Sequence, residues 1–157
     1  MQRRTFFGTV FSGLAAASVA KPRKPGAGDI PTRALGKTGV NLTCIGMGGA
    51  RFHLVPFDDG VSLVRRAYDL GINYFDMARS YWDGRAEEVY GAAIPPFRKE
   101  IFLTTKSGMR TRKEAEAELE RSLRIMKTDY VDLWQMHGVN EKEDIEKIFA
   151  PGGAKIF

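Results

Sequence analysis

Apolar residues recur along this chain in two alternating rhythms: short unbroken runs, and longer stretches in which they return every three or four positions. The first rhythm predicts buried strands and the second amphipathic helices. Residues 32–40 alternate weakly around Gly36 and Gly39, which predicts a short hairpin. Residues 42–47 form a brief apolar run that ends in Gly46-Met47-Gly48-Gly49, a buried strand followed by a tight turn. Asp58-Asp59 can cap a helix with Val61, Val64 and Tyr68 on one face and Gly71 as its stop. Residues 72–76 are the next strand, residues 86–93 a helix closed by Pro95-Pro96, and residues 101–106 a third strand. Thr111 and Glu114 have capping-box spacing at the start of a helix carrying Leu119, Leu123 and Met126 in register. A fourth strand over 130–137 and a helix begun over 144–149 complete the pattern.

Strand and helix thus alternate three times, with a fourth pair under way. Such alternation argues for parallel strands with helical crossovers, without separating a barrel from a doubly wound sheet. The 157 residues are 43% hydrophobic and 27% charged, which suits one globular unit. The formal charge of +5 is scattered and mixed in sign, so a solvated basic surface is expected and no nucleic-acid partner. Cys44 is the only cysteine and there are two histidines, which excludes an intrachain disulfide and argues against a metal site.

Residues 1–25 differ in kind. Arg3-Arg4 precedes Thr5-Phe6-Phe7 and an apolar run to Ala20, where Ser18-Val19-Ala20 offers a small-residue cleavage site. This resembles a twin-arginine export signal, and the run is too short and too broken by Gly and Ser to make a stable membrane span. The resemblance implies a signal over 1–20, a linker over 21–30, and an exported, periplasmic product that crosses the membrane folded. The bland alternative is a tail that happens to begin with two arginines.

Three predicted strands end on ionisable residues that a buried strand would otherwise avoid: Asp76, Lys106 and His137, with Tyr81 in the loop after Asp76. Each has an ordinary reading alone, as a loop cap, a surface lysine, a core histidine or a packing aromatic. An acid, a base and an imidazole at successive strand ends are less readily explained that way. Barrels of alternating strands and helices place their chemistry where those ends converge.

The sequences Asn73-Tyr74-Phe75-Asp76-Met77-Ala78-Arg79-Ser80-Tyr81, Glu87-Glu88-Val89-Tyr90-Gly91, Phe102-Leu103-Thr104-Thr105-Lys106 and Asp129-Tyr130-Val131-Asp132-Leu133-Trp134-Gln135-Met136-His137 closely resemble the aldo-keto reductases. The match runs in order over nearly all of residues 31–150, with Met77 where the family usually has threonine. The resemblance implies a (β/α)8 barrel of the TIM type, of which residues 31–157 supply about the first four strand-helix units. It implies NADP(H) as cofactor, a small carbonyl compound as substrate, and four catalytic residues. Tyr81 would donate the proton, Lys106 activate it, Asp76 hold the lysine, and His137 orient the carbonyl oxygen. Those residue types suit the task, because a tyrosine with a free pKa near 10 is a reluctant acid-base at neutral pH and a neighbouring cation favours its phenolate.

Gly48 and Gly49, with Asp76, are the candidate cofactor contacts, in a tight first strand-end loop. A Rossmann fingerprint would need Gly where Arg51 stands, and no tyrosine has a lysine four residues on, as a short-chain dehydrogenase requires. About 250 residues make a complete barrel of this type, so the chain is expected to be an incomplete reductase. The alternative is an exported non-catalytic half-barrel that binds a ligand or self-associates through its open face.

Overall fold

The computed structural model describes residues 30–155. The proposed signal and most of the proposed linker lie outside them. A two-stranded antiparallel hairpin, β1 (Thr32–Ala34) and β2 (Asn41–Thr43), precedes a four-stranded parallel sheet. That sheet consists of β3 (Met47–Gly48), β4 (Tyr74–Asp76), β5 (Phe102–Ser107) and β6 (Leu133–Met136), side by side in chain order. The connecting helices are α1 (Phe57–Asp69), α2 (Arg85–Ala93) and α3 (Arg112–Met126), and α4 (Lys142–Phe149) follows β6.

Two features favour a barrel-type winding over a doubly wound sheet. The strand order never reverses, and α1 packs on α2, which packs on α3, so the crossovers share one face. Beneath that layer lie Phe75 and Leu103 from the sheet with Val64, Val89, Tyr90 and Met126 from the helices, all fully buried. The register pairs Asp76 with Thr104 and Lys106 with Gln135. Alternation along each strand therefore puts Tyr74, Asp76, Phe102, Thr104, Lys106, Leu133 and Gln135 on the opposite face. Among the described residues no helix is long and apolar enough to cross a membrane.

Several boundaries differ from the expectation. The hairpin extends beyond residue 40, because β1 pairs with residues 41–43 and Cys44 N–H donates to the Pro31 carbonyl at 2.8 Å. The run over 42–47 consequently splits between hairpin and parallel sheet. Asn73 explains the split: its Oδ1 accepts the Thr43 N–H at 2.8 Å, and its Nδ2 donates to the Asn41 carbonyl at 2.9 Å. Gly46 then passes so close to Tyr74 that a Cβ would lie 2.6 Å from the ring.

Asp58 and Asp59 sit in the first turn of α1, where they complement the helix dipole, while Pro56 takes the cap position. In α3, Thr111 accepts the Glu114 N–H as expected, but the fully buried face is Ala115, Ser122 and Met126, with Leu119 and Leu123 half-buried. Gly91 of α2 packs at the Met126 end of that face, where a Cβ would meet the Ile125 carbonyl at 2.1 Å, so the two backbones touch there.

Candidate active site

The turn after β4 begins with Met77 and Ala78, both fully buried, and carries Tyr81 over the sheet's carboxyl edge. Two backbone bonds steer it: Met77 N–H to Thr104 O at 2.9 Å and Arg79 N–H to Lys106 O at 3.2 Å. They extend the β4–β5 ladder past Asp76, holding residues 77–79 against β5. Trp82 and Asp83 follow with φ of 49° and 51°, then Gly84 at 88°. Two consecutive non-glycine residues in the left-handed region represent strain held by the surrounding structure, and such strain concentrates near functional sites.

Tertiary contacts supply the restraint. A Cβ on Gly84 would collide with the Arg79 guanidinium, which points inward to Glu87. Glu87 is 0% exposed, and its two oxygens take Arg79 Nη1 at 3.0 Å and the Thr105 hydroxyl at 3.0 Å. This buried ion pair ties the Tyr81 turn to both α2 and β5. The sequence had marked Glu87 as part of a motif without assigning it a task; a carboxylate on the inward face of a helix was the available signal.

Above this support, the candidate groups come together. Lys106 Nζ donates to Asp76 Oδ1 at 2.6 Å, to the Met77 carbonyl at 2.8 Å and to the Tyr81 hydroxyl at 3.4 Å. With its side chain 13% exposed and that of Asp76 31%, the ammonium is well shielded while the carboxylate keeps some water. The Tyr81 and His137 rings meet edge to face at 5.6 Å. The ammonium also lies 5.1 Å from the Tyr81 ring centre. All four sequence-nominated side chains thus share one end of the sheet. Tyr74, two residues before Asp76 on the same face, has its phenol held above the ordinary 10.0 by burial and then by the Asp76 carboxylate, with Lys106 opposing.

His137 is fixed by neighbours the sequence did not suggest. Its backbone N–H donates to Ser107 O at 2.7 Å, and Arg110 Nη2 donates to its carbonyl at 2.9 Å. Arg110 is anchored in turn by Asp144 of α4, Nε to Oδ1 at 2.9 Å. The Ser107 hydroxyl bonds Glu118 of α3 and accepts the Met109 N–H, which shapes the loop carrying Arg110. Ser80 Oγ lies 3.0 Å from His137 Nδ1.

The two candidate glycines differ. Gly49 is buried, and a Cβ there would meet Met77 at 2.3 Å, so packing accounts for its small size. Gly48 is exposed beside Asp76, with nothing within 4 Å of a Cβ. Among the described residues no cluster of His, Cys, Asp and Glu could hold a metal ion, and Cys44 is free and exposed.

Residues 44–151 match the model of the aldo/keto reductase family. The chain belongs to that family. It is 33% identical over 127 residues to the oxidoreductase YqkF of Bacillus subtilis, a match covering 73% of this chain and 41% of that protein. It is 31% identical over 138 residues to the L-glyceraldehyde 3-phosphate reductase of Escherichia coli, covering 76% of this chain and 40% of the relative. Among solved aldo-keto reductases, one from Klebsiella pneumoniae in complex with NADPH superimposes with a TM-score of 0.61 at 28% identity, over 69% of this chain and 41% of that one. The chain therefore spans about two fifths of the length of the relatives it matches. Its strand-helix order is that of part of an aldo-keto reductase barrel.

Proposed function

We propose that this chain carries the acid-base end of an NADP(H)-dependent reductase of aldehydes or ketones. The observation that carries the reading is Lys106 Nζ, set between Asp76 Oδ1 at 2.6 Å and the Tyr81 hydroxyl at 3.4 Å, with His137 against the same phenol ring. The Tyr81 hydroxyl gives its proton to the carbonyl oxygen as that oxygen gains charge. Lys106 stabilises the phenolate left behind, since an ammonium within hydrogen-bond reach favours the anionic form. Asp76 keeps the ammonium in place, and His137 orients the substrate oxygen. The hydride is the contribution of NADPH when bound. Gly48 and Asp76 fit the nicotinamide end of that group, because the strand end at Gly48 presents bare, unobstructed backbone next to a polar site.

Replacing Tyr81 by Phe removes one hydroxyl and keeps the ring. In this chain, and in parallel in a fusion completing the barrel, Tyr81→Phe should lower carbonyl-dependent NADPH oxidation about a hundredfold or more, with the circular dichroism unchanged. Turnover equal to the parent's would overturn the assignment. We assign residues 1–20 to a twin-arginine export signal and 21–30 to a linker, which places the product in the periplasm. A reporter fused to residues 1–30 should be exported, and changing Arg3-Arg4 to Lys-Lys should block it; export that survives the change sinks the assignment.

A second reading rests on the uncovered sheet face. Tyr74 and Phe102 are half-buried there and Leu133 is 38% exposed, while among the described residues β3 and β6 are each paired on one side only. Open edges and apolar faces invite pairing. The 157-residue chain by itself should therefore self-associate, and sedimentation should become concentration-dependent. A folded monomer at every concentration would rule this out.

A further inference from the structure

Among the described residues, Ser80 is the one side chain hydrogen-bonded to the His137 ring, through Oγ and Nδ1 at 3.0 Å. A neutral imidazole offers one donor and one acceptor, and which nitrogen carries the proton depends on the partner of the other. Two arrangements satisfy this contact. In one, the Ser80 hydroxyl donates to Nδ1 and the proton resides on Nε2. In the other, Nδ1–H donates to Oγ and Nε2 turns a lone pair outward. The second leaves the serine proton to solvent, because Ser80 is exposed, so the contact alone permits either and the task of the ring decides. Only the first turns an N–H toward a carbonyl oxygen; the second would set two lone pairs against each other.

Backbone geometry holds both partners in place. Ser80 is helical at φ −77° and ψ −11° directly before Tyr81, whose N–H donates to the Ala78 carbonyl at 3.1 Å. His137 is pinned through its N–H to Ser107 O at 2.7 Å and through its carbonyl to Arg110 Nη2 at 2.9 Å. Neither end of the contact depends on the other for its backbone position. Loss of the serine hydroxyl would therefore free the imidazole's protonation pattern without moving its Cα.

We propose that Ser80 is a positioning residue that donates to Nδ1 and fixes His137 as the Nε2–H tautomer, the donor form required by the reductase reading on which its catalytic value rests. The contact couples the proton-donor turn to the orienting ring, since Ser80 and Tyr81 are adjacent in sequence.

The test is long-range nitrogen-15 to proton correlation of the imidazole ring in the full chain, with exposed His53 replaced by Gln so that one histidine reports. Wild-type Ser80 should give one pattern, with Nδ1 unprotonated and Nε2 protonated. Ser80→Ala should give an averaged mixture of tautomers while the remaining amide spectrum is preserved, and Ser80→Thr should restore the single pattern. In the barrel-completing fusion, Ser80→Ala should lower kcat about tenfold, the worth of one hydrogen bond, with KM little changed. A protonated Nδ1 in the parent, or a Ser80→Ala spectrum identical to it, overturns the proposal. If the spectra behave as stated while Tyr81→Phe retains full turnover, the tautomer assignment stands and the reductase reading falls.

Discussion

At the scale of single residues, Asp144 does more than begin a helix. Its Oδ1 takes Arg110 Nε, and its Oδ2 takes the N–H groups of Asn140 at 3.1 Å and Glu141 at 3.3 Å. The hydrogen bond from Arg110 first, then the two backbone donors, bring its pKa from 3.8 down to about 2. A carboxyl group whose folded pKa is lowered stabilises the fold above its ordinary pKa and loses that contribution as pH falls through the folded value. Asp144→Asn should accordingly lower the melting temperature at neutral pH, and the difference should shrink as pH falls from about 5 to 2. A gap that does not vary with pH would refute this. The spacing around Asp144 revealed a helix start and nothing of Arg110, because the contact joins residues 34 apart. The meeting of Asp76, Lys106 and His137 at one end of the sheet was legible for the opposite reason: polar groups at the ends of successive parallel strands converge without help from a distant partner.

At the scale of elements, α2 is tied to several of its neighbours in the described fold through single residues. Glu87 faces Arg79 and Thr105, Tyr90 donates to the Met47 carbonyl at 2.8 Å, and Gly91 admits the Ile125 carbonyl of α3. Full burial keeps the Tyr90 phenol well above its ordinary pKa, with the Asp76 charge adding to the effect, so it remains a donor. Three members of one short motif thus tie α2 to β3, β5 and α3. Glu87→Gln removes one charge of a buried pair and leaves Arg79 uncompensated, which should cost about 3–5 kcal/mol in chemical denaturation. A loss under about 1 kcal/mol would mean that the pair is more hydrated than its burial indicates. Gly91→Ala should also destabilise, by about 1–3 kcal/mol, through overpacking against α3. Helical periodicity alone could not reveal either effect. It assigns a face, and it does not show that the closest approach of α3 to α2 is made by backbone, at Ile125 against Gly91.

At the scale of the molecule, the alternation of strand and helix was legible from the hydrophobic pattern, and the choice of barrel came from the polar strand ends and the family motifs. Strand order and one-sided helices support that choice. The first strand was not legible, because its six-residue run serves two sheets and Asn73, thirty positions away, decides where it divides. Sequence pattern locates elements whose partners are close along the chain; it misses boundaries set by a distant side chain.

The agreement between strand order and chain order has a consequence for synthesis. Each parallel strand lies beside the one made just before it, so no strand has to wait for a partner beyond its immediate successor. Asp76 waits 30 residues for Lys106, and His137 completes the group at the next strand. The Asp76, Lys106 and His137 side chains are thus brought together in the order in which they are made, each new strand arriving at an edge already prepared for it.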